Sequence, residues 1–341
     1  MGVQISGILP KKELELIELS GKKIAIDAFN SIYAFLSIIR DRMTGEPLRD
    51  SKGNITSHLS GLLYRNTNLI ENGIKPIWVF DGKPPEFKKK TIESRAAAKE
   101  EAKKKWNEAL KKGEAAIRYA QATSKLTDEM VVDSKKLLDA MGIPWIQAPS
   151  EGEAMCSHLC KKNIVYAVGS QDMDSLLFGS PRLVRNLSIS GKRKVPRKEE
   201  YIEIKPEIIE LEEVLSSLGL TREQLIIVGM LIGTDYNPGI EKVGPKTALK
   251  LVKENKTMKK ILEKVEWQGE TSAEEIYEFF LRPPVAGKYD IELNQPDSDK
   301  IIKFMVDEHD FSKERMEKVI EKLQQRFSAG RQSSLKGWFE K

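Results

Sequence analysis

Seven acidic residues are spread over more than two hundred positions, and three of the segments that carry them end an apolar run in acid. These segments read KKIAIDA, KPIWVFD and IVYAVGSQDMD. A short apolar run of this kind is typical of a buried parallel strand. In open α/β sheets, functional sites gather at the carboxyl ends of the strands. We therefore expect one cleft to contain Asp27, Asp81, Glu151, Glu153, Asp172, Asp174 and Asp235.

The chemistry of such a cleft follows from its charge. Seven negative charges cannot share a dry pocket unless cations balance them. Oxygen-only ligands suit hard divalent ions such as Mg²⁺ or Mn²⁺. Paired hard metals held by carboxylates usually serve phosphoryl chemistry. The sequence therefore predicts a metal-dependent phosphoryl site.

Each acidic motif also has a structural interpretation. Ser150 and Glu153 form a capping box at the start of an apolar helix, which explains Glu153 but not Glu151. Asp172 and Asp174 could simply begin a turn after a strand. Coincidence at all four acidic regions is the weaker explanation.

The elements that must position these acids alternate as strand and helix over residues 20–180, which predicts an α/β fold with a parallel sheet. Between Asp81 and about Thr127 a charged insertion interrupts this pattern. Its residues 83–112 contain eleven Lys or Arg and five Glu among good helix formers. We expect a helical insertion that stands over the site as a gate, although a solvated helical face explains the charge alone equally well. After Phe327 we expect an unstructured tail.

Composition limits the alternatives. No run of about 18 apolar residues is present, so we expect no membrane span. The net charge of +5 is modest, so nucleic-acid affinity must come from local patches. Cys156 and Cys160 fit a reducing compartment, and with His158 alone nearby they supply too few ligands for structural zinc. We expect both cysteines to be core residues.

A glycine-containing segment, GIEKVGPKTALKLV at 239–252, nearly matches a nucleotide-binding P-loop. Pro245 interrupts the match, and the preceding residues read as a helix and turn, which weighs against a P-loop ATPase. The segment instead predicts a glycine hairpin that leads into a second helix. Backbone amides at such a helix start can bind a phosphate of a nucleic-acid strand.

The end of the chain places large apolar groups on a segment with little else to bury. A spacing of three residues puts Gln332, Leu335 and Trp338 on one face of a 3₁₀ turn, and Phe339 follows. Exposed aromatic residues in a flexible tail indicate a docking peptide. The alternative is that the tail folds back on its own domain.

Together these motifs resemble those of the flap structure-specific endonucleases of DNA replication. The resemblance covers essentially the whole chain and keeps the family's order: the MGV start, IAIDAFNSIY, VFDGKPPEFK, PSEGEA, SQDMDSLLFG, GTDYNPGIEKVGPKTA and QSSLKGWF. The implied fold is an α/β, PIN-like nuclease domain over 1–327 with a parallel-rich central sheet. It carries a helical arch at about 83–130 and a helix-two-turn-helix motif at about 222–255, and a flexible tail follows at 328–341. Because the chain ends two residues beyond Phe339, it is similar to archaeal members.

The resemblance also implies roles for individual residues. Two Mg²⁺ ions, or Mn²⁺ as a substitute, would be held by the seven acids. The first four acids in chain order would lie mostly round one ion and the last three round the other. Lys88 and Arg95 match a basic pair that stabilises charge on the scissile phosphate. Tyr33 matches an aromatic residue on which a base stacks, and Gly2, once Met1 is removed, matches an N-terminus near the site.

Two further contacts follow from the same resemblance. The first is a grip on downstream duplex DNA through Gly239, Gly244, Lys246 and Thr247. The second is docking on the sliding clamp, PCNA, through Gln332, Leu335, Trp338 and Phe339.

The function implied is removal of 5′ flaps from branched DNA in Okazaki fragment processing and DNA repair. The protein would be a monomer in the cytoplasm of an archaeal cell, at the nucleoid, or in the nucleus of a eukaryote. One alternative is a 5′ exonuclease or repair nuclease of the same superfamily. Another is a non-catalytic, clamp-tethered DNA-binding scaffold, which the seven repelling acids disfavour.

Overall fold

A computed structural model describes residues 2–41, 44–88, 124–187, 191–194 and 201–339, together with positions 91, 93, 97, 100 and 101. Of residues 191–194, 201–203 and 329–339 it describes only the backbone. Most of the predicted arch, including Arg95, lies outside the described residues.

The centre of the fold is a seven-stranded mixed sheet with the strand order β1-β9-β6-β5-β2-β3-β4. The five strands from β6 to β4 in that order run parallel, whereas β9 and β1 run antiparallel at one edge. Strands β7 and β8 form a separate hairpin. The strands are β1 Lys12–Glu13, β2 Lys23–Asp27, β3 Lys75–Phe80, β4 Trp145–Gln147, β5 Ala167–Gly169, β6 Arg182–Arg185, β7 Gly191–Lys194, β8 Tyr201–Ile204 and β9 Glu207–Glu210.

Helices cover both faces of the sheet, because its central strands are apolar on both sides. In β3, Ile77 and Val79 belong to one buried core while Trp78 and Phe80 belong to the other, as the two-residue period of a strand requires. The helices are α1 Ala28–Ile38, α2 Ser57–Glu71, α3 Asp128–Ala140, α4 Gly152–Lys161, α5 Asp174–Leu177, α6 Leu211–Leu218, α7 Arg222–Ile232, α8 Pro245–Asn255, α9 Met258–Leu262, α10 Ala273–Leu281, α11 Ser298–Ile302 and α12 Lys313–Phe339.

The order of the strands creates a crevice at a defined place. From β2 the chain moves outward to β3 and β4, and it then returns through α4 to place β5 on the other side of β2. Such a reversal opens a crevice at the carboxyl ends of the two central strands. The prediction of an α/β fold with a parallel-rich sheet is confirmed.

Helix α12 continues through Phe339, so the backbone after Phe327 is helical and the prediction of an unstructured tail is wrong. The segment contains no proline, and extending an existing helix costs far less than nucleating one. Within the described ranges, no single helix is long and apolar enough to span a membrane. Helices α6 and α7 meet the length and composition criteria only when they are taken as one pair, and that pair is bent by 81°.

Candidate functional site

Five chain segments deliver the seven acids to the crevice. Asp27 is the last residue of β2, and Asp81 directly follows β3. Glu151 and Glu153 stand at the start of α4, after β4. Asp172 and Asp174 follow β5, and Asp235 lies in the loop after α7. Because β2, β3, β4 and β5 are parallel, their carboxyl ends lie along one edge and bring these segments together.

Backbone amides from distant parts of the chain hold two of the acids. The Gly152 amide donates to Asp81 Oδ1 at 2.7 Å, so the start of α4 fixes the acid that follows β3. The Val3 amide donates to Asp174 Oδ1 at 2.7 Å across 171 residues of chain. Both acids therefore have one oxygen atom oriented by a neutral donor.

The N-terminal residues are part of this site. A Cβ atom placed on Gly2 would lie 2.8 Å from Asp172 Cβ and 2.9 Å from Asp174 Oδ1, closer than real Cβ contacts allow. Glycine is therefore required for the backbone to approach the acids at this position. The structure thus places Gly2 beside the cluster.

Asn30 is a site residue that the sequence reasoning missed. Its backbone amide donates to Asp27 Oδ1 at 3.1 Å, and its side-chain amide donates to Asp172 Oδ2 at 2.9 Å. Its Oδ1 also accepts a hydrogen bond from the Gln171 amide at 3.2 Å. Asn30 therefore ties the end of β2 to the loop after β5. The available signal was its place three residues after Asp27, in the first turn of α1.

The expected capping box at Ser150 and Glu153 is wrong. The N-cap of α4 is Glu151, and no side chain caps it. Glu153 Oε1 instead accepts from the hydroxyls of Ser170 at 2.7 Å and Ser175 at 3.0 Å. The Glu153 carboxylate lies inside the site, where a buried polar group needs hydrogen-bond donors, and the two hydroxyls supply them. Helix capping therefore does not explain why an acid stands at position 153.

Burial raises the pKa of four of the acids, and their neighbours raise it further. The pKa of Asp81 rises to about 6, with Glu151 as the main charged neighbour, and that of Asp174 rises to about 7, with Asp235 in that role. The pKa values of Asp27 and Glu153 lie well above their usual range for the same two reasons. Each of the seven acids is thus close enough to act on another.

Lys88 supplies positive charge inside the cluster. Its Nζ lies 2.5 Å from Glu151 Oε2 and 3.6 Å from Asp235 Oδ2. Burial opposes the charged form, but the carboxylates of Glu151, Asp235 and Asp81 outweigh it and raise the pKa of Lys88. Lys88 therefore stays protonated at neutral pH.

A short 3₁₀ turn, Glu86–Lys88, holds Lys88 in place. The neighbouring ring of Phe87 packs edge-on against Tyr236 at 5.4 Å and Phe279 at 5.2 Å between centroids. Lys88 Nζ itself lies 5.7 Å from the centre of the Tyr236 ring. The turn at Glu86–Lys88 is therefore anchored to the helical part of the molecule.

The donor set of the cluster fits a hard divalent cation. All seven acids offer oxygen, and one lysine, Lys88, lies among them. Among the described residues, no three His, Cys, Asp or Glu side chains already stand close enough to hold a metal ion. The ammonium group of Lys88 lies between Glu151 and Asp235.

Helices α7 and α8 and the loop at 233–244 occupy the segment for which the sequence predicts a helix-two-turn-helix motif. Gly239 is buried with φ of +84°, and a Cβ there would lie 2.3 Å from the Ile232 carbonyl oxygen. It therefore shapes the turn rather than offering an exposed surface. Gly244 is the N-cap of α8, and it is exposed together with Lys246 and Thr247.

The remaining residues singled out from the sequence lie in several parts of the fold. Tyr33 is half-buried on α1, one turn beyond Asn30 and on the same helical face. Cys156 and Cys160 are buried in the core, as expected. The backbone at Gln332, Leu335, Trp338 and Phe339 belongs to α12, but their side chains lie outside the described residues.

A parallel-rich sheet with an acidic cluster at its switch point defines a hydrolase of the PIN-like nuclease class. Comparison with known proteins agrees. Residues 1–102 match the XPG N-terminal domain, and residues 142–235 match the XPG I-region. The chain is 56% identical over 344 aligned positions to flap endonuclease 1 of Pyrococcus abyssi, covering 100% of this chain and 99% of that protein.

Solved structures give the same result. Flap endonuclease-1 from Methanococcus jannaschii matches with 41% identity and a TM-score of 0.76 over 96% of this chain and 100% of that one. The catalytic core of Rad2 in complex with DNA substrate shares the fold, with a TM-score of 0.68 and 24% identity over 92% of this chain and 96% of that one. The chain belongs to the flap endonuclease 1 family.

Proposed function

We propose that the protein is a structure-specific nuclease that hydrolyses a DNA phosphodiester at the base of 5′ flaps. The observation that carries the proposal is the convergence of seven acids from five segments at the switch point of the sheet, in a chain of this family. A protein that only binds DNA gains nothing from such a cluster, because carboxylates repel the phosphates of its ligand.

Two Mg²⁺ ions, or Mn²⁺ in their place, would be held by the seven acids, with Asp27, Asp81, Glu151 and Glu153 mostly round one ion and the remaining three round the other. Bound there, divalent ions would polarise the phosphate and lower the pKa of water. The chain itself orients the acids through the Gly152 and Val3 amides, the Ser170 and Ser175 hydroxyls and the Asn30 side chain. These donors pre-set the carboxylates before any cation arrives.

Lys88 would stabilise the negative charge that builds on the scissile phosphate. Its ammonium group is buried, protonated and already among the acids, so it need not be reorganised during the reaction. The resemblance to the family gives Arg95 the same role from the arch. Tyr33, one helical turn from Asn30, would stack against a base near the cut.

The N-terminus of α8 would hold the duplex part of the substrate. Gly244 has no side chain, Pro245 occupies the first helical position, and Lys246 and Thr247 present their amides and side chains to solvent. Helix starts of this kind bind phosphate without reading the base sequence. Such a contact suits an enzyme that recognises the shape of branched DNA.

The remaining parts of the proposal concern the arch and the tail. An arch at about 83–130 would admit the single-stranded flap above the acids. Residues 1–327 would form one nuclease domain, and the end of α12 would dock on a sliding clamp through residues 332–339. Such tethering would place a monomeric enzyme at replication and repair intermediates.

The deciding experiment is cleavage of an end-labelled double-flap DNA with Mg²⁺ or with EDTA, beside single-stranded and blunt-duplex DNA of the same sequence. We expect one Mg²⁺-dependent cut at the flap base while both control DNAs stay intact. Asp174→Ala should abolish the cut and keep DNA binding. Asp299→Ala removes an exposed acid of α11 outside the cluster and should behave as wild type.

Two results would contradict the proposal. A ladder of short products would instead identify a 5′ exonuclease of the same superfamily. Binding without any cut, with either Mg²⁺ or Mn²⁺, would leave a DNA-binding scaffold as the function. Full activity of Asp174→Ala would remove this acid from the ligand set.

A further inference from the structure

A cavity of about 410 Å³ opens at the end of the sheet opposite the acidic cluster. It lies at the amino ends of β2, β3, β5 and β6. Among the described residues that line it, none is acidic and four are basic: Lys22, Lys23, Lys75 and Arg182. Lys23, which lines the cavity, and Asp27 are the first and last residues of β2. At a rise of about 3.3 Å per residue they lie about 13 Å apart. It is therefore separate from the site at the carboxyl ends.

Two of the cations are held over one aromatic ring. Lys22 Nζ lies 4.9 Å and Arg182 Cζ 4.7 Å from the centre of the Tyr166 ring. The Arg182 guanidinium also donates to the Tyr166 carbonyl oxygen at 3.4 Å. Cation–π contacts and this hydrogen bond restrict both side chains without neutralising them. The positive charge is thus kept in place at the wall of the cavity.

The other two cations face each other across the sheet. Lys23 and Lys75 are direct partners in the register of β2 and β3. Like charges directly opposite each other destabilise a sheet. Glu292, whose exposed carboxylate lies 2.9 Å away, pairs with Lys23. Among the residues that the structure describes, the other three cations of the cavity have no acidic partner in its walls. An anionic ligand would relieve the repulsion between these neighbouring cations.

The chemistry of the walls selects the kind of anion. The backbone amides of Lys22, Lys75 and Tyr166 already donate to carbonyl oxygens of the fold. Recognition therefore falls to ammonium and guanidinium groups, which suit the several oxygens of phosphate groups. Four cations line the cavity, which is more positive charge than a single phosphate group balances.

We propose that this cavity, which we name the amino-end pocket and define by Lys22, Lys23, Lys75, Tyr166 and Arg182, binds a ligand with at least two phosphates. The ligand is either a stretch of nucleic-acid backbone or a small polyphosphate. The pocket is independent of cleavage, since its residues lie at the other end of β2 from the acids.

The test is lysine footprinting in EDTA at low salt, with acetylation of each lysine followed by mass spectrometry. The probes are inorganic pyrophosphate, a ten-nucleotide single-stranded DNA and a glutamate peptide of equal charge. We expect pyrophosphate to slow acetylation of Lys22 and Lys75 several-fold. Lys288, exposed and outside the pocket, should react at an unchanged rate.

A double variant, Lys22→Gln with Lys75→Gln, completes the test. We expect its affinity for pyrophosphate in calorimetry to fall about tenfold, as for the loss of charge-assisted contacts. If DNA also protects the two lysines, the slope of log DNA affinity against log salt should be smaller by about two for the double variant than for wild type. Flap cleavage by the variant, measured separately, should stay at the wild-type rate.

The outcomes separate the sources of the ligand. Protection by pyrophosphate alone identifies a small polyphosphate, and protection by both phosphate probes identifies a nucleic-acid backbone. Protection by the glutamate peptide but by neither phosphate probe would overturn the proposal. So would unchanged acetylation with all three probes, or an unchanged affinity of the double variant for pyrophosphate.

Discussion

The side-chain amide of Asn30 donates a hydrogen bond to Asp172 Oδ2 at 2.9 Å, although the two residues are 142 positions apart in the chain. The same residue contacts Asp27 through its backbone amide. Asn30 therefore joins acids from the two strands that flank the switch point. We expect it to act as a positioning residue for the cation site rather than as a ligand.

Asn30→Ala should weaken divalent metal binding by about tenfold or more, the usual effect of removing a partner that orients a ligand. Manganese binding followed by electron paramagnetic resonance measures this without any turnover. Gln171→Ala is the matched control, because Gln171 contacts Asn30 only through its backbone amide. Equal metal affinity of the Asn30 variant and wild type, with folding intact, would remove this role.

Lys88→Ala should lower the single-turnover cleavage rate by about 10²–10³, the effect of losing one preorganised group that stabilises transition-state charge. DNA affinity should change much less, because one lysine contributes little to the total phosphate contact. Lys83→Ala, an exposed lysine of the same segment, serves as the control. A loss confined to DNA binding, with an unchanged rate at saturation, would contradict the assignment.

The raised pKa of Asp174 predicts how stability depends on pH without metal. Its pKa is about 7 in the folded protein against 3.8 as the ordinary value, so the folded state binds the proton more tightly. The stabilisation is complete below pH 4 and is lost as the pH rises through about 7. Asp174→Asn carries no charge and keeps an acceptor for the Val3 amide.

In EDTA, we therefore expect the melting temperature of Asp174→Asn to exceed that of wild type by several degrees at pH 8 and to match it near pH 4.5. Calorimetric melting curves across this range measure the gap. Adding Mg²⁺ at pH 8 should raise the melting temperature of wild type more than that of the variant, because the ion needs the charged acid. A gap that stays constant with pH would show that Asp174 does not titrate in this way.

Lys246→Ala should weaken binding to duplex DNA and reduce the slope of log affinity against log salt by about one. The reason is that Lys246 is exposed in the first turn of α8, beside Gly244. Lys250→Ala tests the same helix one turn later, where Lys250 pairs with Glu254 at 3.9 Å. An equal slope change in both variants would indicate general helix charge rather than a phosphate site at the helix start.

Deletion of residues 330–341 should leave cleavage of a short flap unchanged and remove stimulation by the sliding clamp. The backbone of residues 330–339 belongs to the end of α12, and their side chains lie outside the described residues. Cleavage rates with and without the clamp measure both effects in one experiment. Stimulation that survives the deletion would place the clamp contact elsewhere on the protein.

The sequence by itself determined the fold class and the acid set. The apolar runs before Asp27, Asp81 and Asp172 specify buried parallel strands, because alternate side chains must be apolar on both faces. Once those strands are parallel, their ends share one edge, so the acids that follow them must meet. The first turn of α8 was likewise readable from Gly244 and Pro245.

Only the tertiary structure decided which donors hold those acids. Asn30 to Asp172, Val3 to Asp174 and Gly152 to Asp81 are contacts between segments far apart in the chain. A local pattern cannot specify such contacts. The local pattern at Glu153 favoured a capping role, whereas in the folded protein its carboxylate accepts hydrogen bonds from Ser170 and Ser175. The cations of the amino-end pocket are likewise scattered in the chain, and the sheet alone brings them together. Local rules choose the elements, whereas the packing of those elements chooses the partners.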